Sequence, residues 1–248
     1  MYAALSSQEI LRVWEVALGQ HPLDRALTIL ASAFPGVSQK QLTALSVGQR
    51  DECLFAVRER TFGSRLVSLA ACPVCQGQLE LMLDVADLHI AHDPDPTSLK
   101  QHVQQMTSDG YELQFRLPNS LDLAAIVGCQ DIFIARNVLL HRCIVRAIHN
   151  DIEVAIEDLP ETVIAALAEQ MDTSDPLAAL DIGLDCSECG FHLQVLFDIV
   201  SYLWTEISMK AKRLLLEVHT LARAYGWREA DILSMSAVRR QLYLEMIT

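Results

Sequence analysis

The sequence predicts an α+β protein in which helical N- and C-terminal regions pack beside a small, split antiparallel sheet, with an α/β subdomain inserted between the halves of that sheet. Three observations lead there. Apolar residues recur at helical spacing at both ends of the chain, the period drops to two beside each of two Cys-x-x-Cys pairs, and a polar connector with two prolines follows the first pair. The expected organisation is a helical region over 1–63, a sheet split between 64–90 and 177–198, an insertion over 91–176 and a helical region over 199–248.

The N-terminal helices are marked by their ends. In "SSQEILRVWEVALG", Ser6 and Glu9 form a capping box, Ile10, Trp14, Ala17 and Leu18 share a face, and Gly19 closes the run. "HPLDRALTILASAF" has Pro22 at a helix start, where a missing N–H costs nothing. "SQKQLTALSVGQRDECLFAVRERTFG" reads as two more helices closed by Gly63.

Strand periodicity follows. Leu79, Leu81, Leu83 and Val85 alternate after the first cysteine pair, and Leu180, Ile182 and Leu184 alternate before the second, so each pair sits in a tight turn between strands. Between them, "HIAHDPDPTSLKQH" reads as a solvated connector, "GYELQFRL" as a strand, and "IFIARNVLLHRCIVRAIH" and "LPETVIAALAEQM" as helices. After the second pair, Ile207, Ala211, Leu214, Val218, Leu221 and Tyr225 fall on one stripe of a long helix, which needs cover from the N-terminal helices or from another protein.

Cys72-x-x-Cys75 and Cys186-x-x-Cys189 carry the clearest chemistry. Two turns of this spacing that face each other complete a tetrahedron of thiolates around a structural zinc ion, and four thiolates leave no open position for catalysis. The 110 residues between the pairs exceed a compact ribbon, but the cost of closing a loop grows slowly with its length. Aligning the pairs also aligns Leu79 with Leu193, Asp84 with Asp198 and Val85 with Ile199, as for two similar units packed around one ion. The main rival is a thiol–disulfide enzyme, with unliganded cysteines or another metal such as iron as the remaining readings. With Asp185 and Glu188 beside the second pair and no Lys or Arg within five residues of either, the local charge suits a metal site better than a reactive thiol. His192 could replace a cysteine but reads more simply as a surface or packed residue. Cys53, Cys129 and Cys143 read as small core residues in helices.

Thirty-two acidic residues against 19 basic ones give a formal charge of −13, which disfavours a zinc-ribbon protein acting on nucleic acid or the transcription machinery, the second function considered. With 51% hydrophobic residues the chain is globular, and it contains no apolar run long enough to span a membrane. "MYAALSSQEILRVW" lacks the features of a signal peptide, so a cytoplasmic protein with reduced cysteines is expected. No phosphate loop, G-x-S-x-G elbow or H-E-x-x-H helix is present, and "AHDPDP" reads as linker; a non-enzymatic role is expected.

"LGQHPLDRALTILASAFP", "LSVGQRDECLFAVRERTFG" and "VHTLARAYGWREADILSMSAVRRQLYLEMI" resemble the T-even phage baseplate hub protein family, found in the tail clusters of contractile phages and related injection systems. The best match is the turn Tyr225, Gly226, Trp227, then Glu229, Ile232, Leu233, Arg239 and Arg240 before Tyr243 and Leu244. The larger bacterial members also carry two C-x-x-C pairs, matching Cys72, Cys75, Cys186 and Cys189. The resemblance implies a baseplate or hub component, or a chaperone of its assembly, whose partners are other tail proteins. Gly226 can end one helix in the left-handed conformation while Trp227 packs across the corner. Tyr225, Trp227, Arg239, Arg240 and Tyr243 are the expected partner surface, the arginines facing a carboxylate-rich protein.

Overall fold

The computed structural model describes residues 4–88, 94–99 and 102–247. Four helices come first, α1 (Ser7–Ala17), α2 (Pro22–Ala33), α3 (Gln39–Ala44) and α4 (Val47–Phe62). The Ser6/Glu9 capping box forms as expected, with equivalents at Ser38/Gln41 and Ser46/Gln49, and Pro22 occupies the first position of α2. Each box satisfies helix N–H groups that would otherwise lack partners. The first hairpin follows, β1 (Arg65–Ala71) antiparallel to β2 (Gln78–Asp84).

The insertion contributes β3 (Gln104–Ser108), β4 (Tyr111–Phe115), α5 (Ser120–Ile126), α6 (Ile132–Cys143), β5 (Ile144–His149), β6 (Ile152–Glu153) and α7 (Glu161–Ser174). Its four strands form one antiparallel sheet in the order β3-β4-β5-β6, and Leu113, Phe115, Ala147, Val163 and Leu167 fill a core separate from that of the terminal helices. The second hairpin, β7 (Leu180–Asp185) with β8 (His192–Phe197), leads into α8 (Ile199–Tyr225), α9 (Glu229–Ser234) and α10 (Ala237–Glu245).

The stripe on α8 is covered from within the chain. Ile207, Ala211, Leu214 and Leu221 are buried, and α1, α2 and α4 pack against this helix. The main core thus joins both ends of the chain.

Three expectations are corrected. The segment "IFIARNVLLHRCIVRAIH" is helical only to Cys143; Ile144–His149 is strand β5. Its β-branched, alternating residues find a ladder on β4, placing Ile144 and Ala147 in the insertion's core, and that pairing overrides continuation of the helix. Cys129 is neither helical nor buried but exposed just beyond a turn at Gly128, whereas Cys53 and Cys143 are buried. The halves of the split sheet share no ladder among the described residues; each is a two-stranded sheet of its own, and the two meet through side chains. The connector expected over 89–102 lies partly outside the described residues, as do His92 and Asp93 of "AHDPDP".

The insertion is tied to the start of α4. Asp175 accepts from the Ser46 hydroxyl at 3.0 Å and the Gly48 N–H at 2.9 Å, and the Val47 N–H donates to the Pro118 carbonyl at 3.0 Å. A Cβ on Gly48 would collide with the Asp175 carboxylate, so this approach requires glycine.

Inside the insertion, Asp122 is fully buried and accepts from Arg116 at 2.9 Å, Arg142 at 2.7 Å and the Asn119 N–H at 2.9 Å. Burial pushes its carboxyl up, but these donors outweigh burial and hold it below the ordinary carboxylate range. Its stabilising effect is therefore complete above the unfolded pKa and fades as pH falls through the lowered folded value. Replacing one partner of such a group is costly. Asp122→Asn is expected to destabilise the protein by about 3 kcal/mol near neutrality and to flatten the acid limb of its stability curve, measured by denaturant unfolding from pH 3 to 7.

Candidate metal centre

The two knuckles are built alike. In the first, the Cys72 N–H donates to the Gly77 carbonyl and the Gln76 N–H to the Cys72 carbonyl, both at 2.9 Å. In the second, the Cys186 N–H donates to the Phe191 carbonyl at 2.9 Å and the Gly190 N–H to the Cys186 carbonyl at 2.8 Å. The residue after each second cysteine has a positive φ, 60° at Gln76 and 71° at Gly190. Such a turn curls the backbone around its two sulfurs.

The knuckles face each other across the hairpins. The Sγ atoms of Cys72 and Cys189 lie 3.6 Å apart, those of Cys75 and Cys186 3.5 Å apart, and all four fall within 4.8 Å of one another. A tetrahedron of sulfurs at the usual zinc–sulfur length has edges of about 3.8 Å, so the donor set fits one tetrahedral ion. Cys72 and Cys186 are buried against Leu79 and Leu193, and Cys75 and Cys189 are exposed. Across the gap, Gly77 leaves just enough room for Cys75 and the Glu188 side chain.

The electrostatics change from one thiol to the next. The Cys75 N–H, and after it the Val74 N–H, pull the Cys72 thiol down to about 7 against the effect of burial. The Gly77 N–H acts likewise on Cys75, yet the contact with Cys186 and burial leave that thiol raised. At Cys189 the Phe191 N–H pulls down while burial and the other three sulfurs push the thiol up to about 12. One sulfur ionises readily and later charges meet repulsion, which a divalent cation would remove. His192 stands apart, exposed, with Nδ1 2.8 Å from Asp185 Oδ1.

The aligned aspartates end both hairpins. Asp84 accepts from the Ala86 N–H at 3.1 Å, and Asp198 accepts from the Val200 N–H at 2.9 Å. Val85 and Ile199, next in line, are each buried in the main core, so both units are seated on the helices in the same way.

The C-terminal residues split into two groups. Gly226 takes the left-handed conformation that ends α8. The rings of Tyr225 and Trp227 stack at 4.4 Å, Tyr243 meets Trp227 edge-on at 4.8 Å, and Arg239 lies 5.7 Å from the Tyr243 ring. Arg240 is withdrawn from the expected surface. It is 1% exposed and donates to Glu217 at 3.0 Å, the Met235 carbonyl at 2.6 Å and Ser7 at 3.1 Å, because α10 turns this face onto α8 and α1. Sequence reading missed two further residues. Gln76 is recognisable by its place after the second cysteine, whereas Asp175 carries no local signal because its partners are 127 and 129 residues away.

A helical body carrying two facing knuckles defines an α+β protein with a four-sulfur cluster that could hold one metal ion. The family model described as T4 bacteriophage base plate protein matches residues 24–204, which is most of the chain. The chain belongs to that family. The match takes in both cysteine pairs and the whole insertion, and ends inside α8 before the aromatic corner. No curated protein and no solved structure matches the chain significantly.

The two positive-φ positions should respond oppositely to substitution. Gln76→Gly relieves a side chain from the left-handed region and is expected to raise stability by about 1 kcal/mol, whereas Gly190→Ala is expected to cost about the same. Denaturant titration of the two variants checks both signs.

Proposed function

We propose that this protein is a non-enzymatic component of the central hub region of a contractile phage tail or tail-like injection particle, or an assembly factor for it, and that Cys72, Cys75, Cys186 and Cys189 hold one structural zinc ion. The observation that carries the metal part is the four sulfurs within 4.8 Å, drawn from two turns 110 residues apart. Membership of the base plate family supports the tail part. The thiolate set leaves no open position for substrate, and zinc would supply charge compensation and a rigid joint there.

In this reading the terminal helices and the ribbon form the body, the insertion over 91–176 is an arm, and other tail proteins bind the exposed surfaces. Two surfaces support such contacts. Tyr225, Trp227, Tyr243 and Arg239 form one aromatic and cationic corner; Arg240 supports it from beneath. At the start of α6, Ile132, Phe133 and Ile134 are exposed side by side, an apolar grouping of the kind that interaction surfaces present. No helix among the described residues is long and apolar enough to cross a membrane.

Metal analysis of the purified protein should return one zinc per chain. Its removal by a chelator, or Cys72→Ser with Cys186→Ser, should lower the melting temperature by roughly 10 °C or more. Affinity capture from cells expressing the tail gene cluster should recover a baseplate or hub protein, and Trp227→Ala should weaken that recovery. Metal-free protein of unchanged stability would remove the zinc assignment; capture of no tail component by metal-loaded protein would remove the tail role.

A further inference from the structure

Beside the cysteine cluster lies a groove of about 640 Å³, walled by β1 and β8 and floored by one face of α8. The floor residues Tyr202, Thr205, Glu206 and Met209 follow one another at helical spacing. Leu69, Leu196 and Met209 line it and are 66%, 63% and 61% exposed, so the groove presents apolar side chains to water.

One wall is a free strand edge. β1 pairs with β2 alone, and the Cys72 N–H to Gly77 carbonyl bond fixes which residues face β2: the even-numbered ones. Val67 and Leu69 therefore turn their N–H and C=O groups outward. The Tyr202 hydroxyl confirms this direction, because it accepts from the Val67 N–H at 3.0 Å and donates to the Val67 carbonyl at 3.1 Å. A single hydroxyl thus takes the two bonds that the opposite residue of an antiparallel strand would make, which caps the edge at one point. Two residues on, no strand among the described residues pairs with the edge at Leu69. By the same alternation from Cys186 and Phe191, Leu196 of β8 turns its backbone groups away from β7.

Charge selects the occupant. Residues 65–84 and 180–198 carry six carboxylates against one arginine and no lysine, a net charge of −5 with histidine neutral. Within the groove, Glu206 is paired with Arg58, and Asp198 caps α8. We propose that this groove takes an extended segment of a partner protein in which apolar residues alternate with Lys or Arg, added as a strand to the outer edge of β1. Main-chain bonds to Leu69 supply register, the apolar side chains lie on Met209 and Leu196, and the basic ones approach Asp198 and Glu206, the two carboxylates that line the groove, within the negative field of the hairpins. The inference rests on the hairpins and not on the tail assignment.

The test uses purified, metal-analysed full-length protein and a fluorescein-labelled eight-residue peptide alternating valine and lysine. Fluorescence anisotropy should show salt-sensitive binding at least about tenfold tighter than for peptides with glutamate in place of lysine or with prolines at two valines. Hydrogen exchange should show the Leu69 amide slowed by the peptide. Leu196→Lys and Met209→Lys alter exposed side chains and should each weaken binding about tenfold while leaving melting temperature and metal content unchanged. Equal binding of the acidic or proline peptide, or full affinity in both variants, overturns the proposal. Concentration-dependent dimerisation abolished by Met209→Lys also overturns it, since a second copy would then occupy the groove.

Discussion

The architecture depends on the convergence of two knuckles that are far apart in sequence. Bringing Cys75 and Cys186 together closes a loop of 110 residues. A covalent cross-link around a loop of that size removes about 4.7 kcal/mol of chain entropy from the unfolded state. At the knuckle end, side-chain packing between the hairpins is small, limited to Leu79, Leu193 and their partly buried neighbours, and among the described residues the hairpins share no ladder. An isolated two-stranded hairpin is marginal in water. At that end a bound ion would suit the joint better than four free thiols crowded within van der Waals reach.

The hairpins also transmit that joint to the helices. Asp84 and Asp198 stop the strands at equivalent points and start a 3-10 turn and α8 respectively, with Val85 and Ile199 turned into the main core. Phe197, one residue earlier, stacks on Phe55 of α4 at 6.0 Å. The base of the ribbon is thus part of the helical core, and its tip carries the cysteines. The insertion leaves from one hairpin and returns to the other, and its return is pinned by Asp175 at the start of α4.

Features governed by local physics were legible in the sequence. Capping boxes, Pro22, the left-handed Gly226 and the stripe on α8 each depend on residues within a turn or two of one another. The four-cysteine cluster was legible for another reason: the spacing within each pair is the one a tetrahedral ion would require, whatever the chain does between them. Features set by distant partners were not legible. "IVRAIH" follows a helix without punctuation, and only the ladder on β4 decides its conformation. Arg239 and Arg240 are neighbours with opposite fates, one over the Tyr243 ring and one beneath α10, because that choice belongs to the packing of α10 on α8. The apolar start of α6 gave the helix correctly yet misleads about burial, since Ile132, Phe133 and Ile134 face solvent.

The distribution of charge connects the ribbon to the protein's surroundings. Four thiolates around one divalent ion would add −2 to hairpins already at −5, so the knuckle end is the wrong sign for a phosphate backbone, though many cysteine ribbons grip nucleic acid. Its free strand edge is also a hazard, because an unpaired, apolar edge recruits other strands indiscriminately. Here the Tyr202 hydroxyl blunts that edge at Val67, and the net charge of −5 on the hairpins works against the approach of another copy of the same acidic chain. In the proposed docking, an edge guarded in this way would disfavour pairing with its own copies and favour a basic strand.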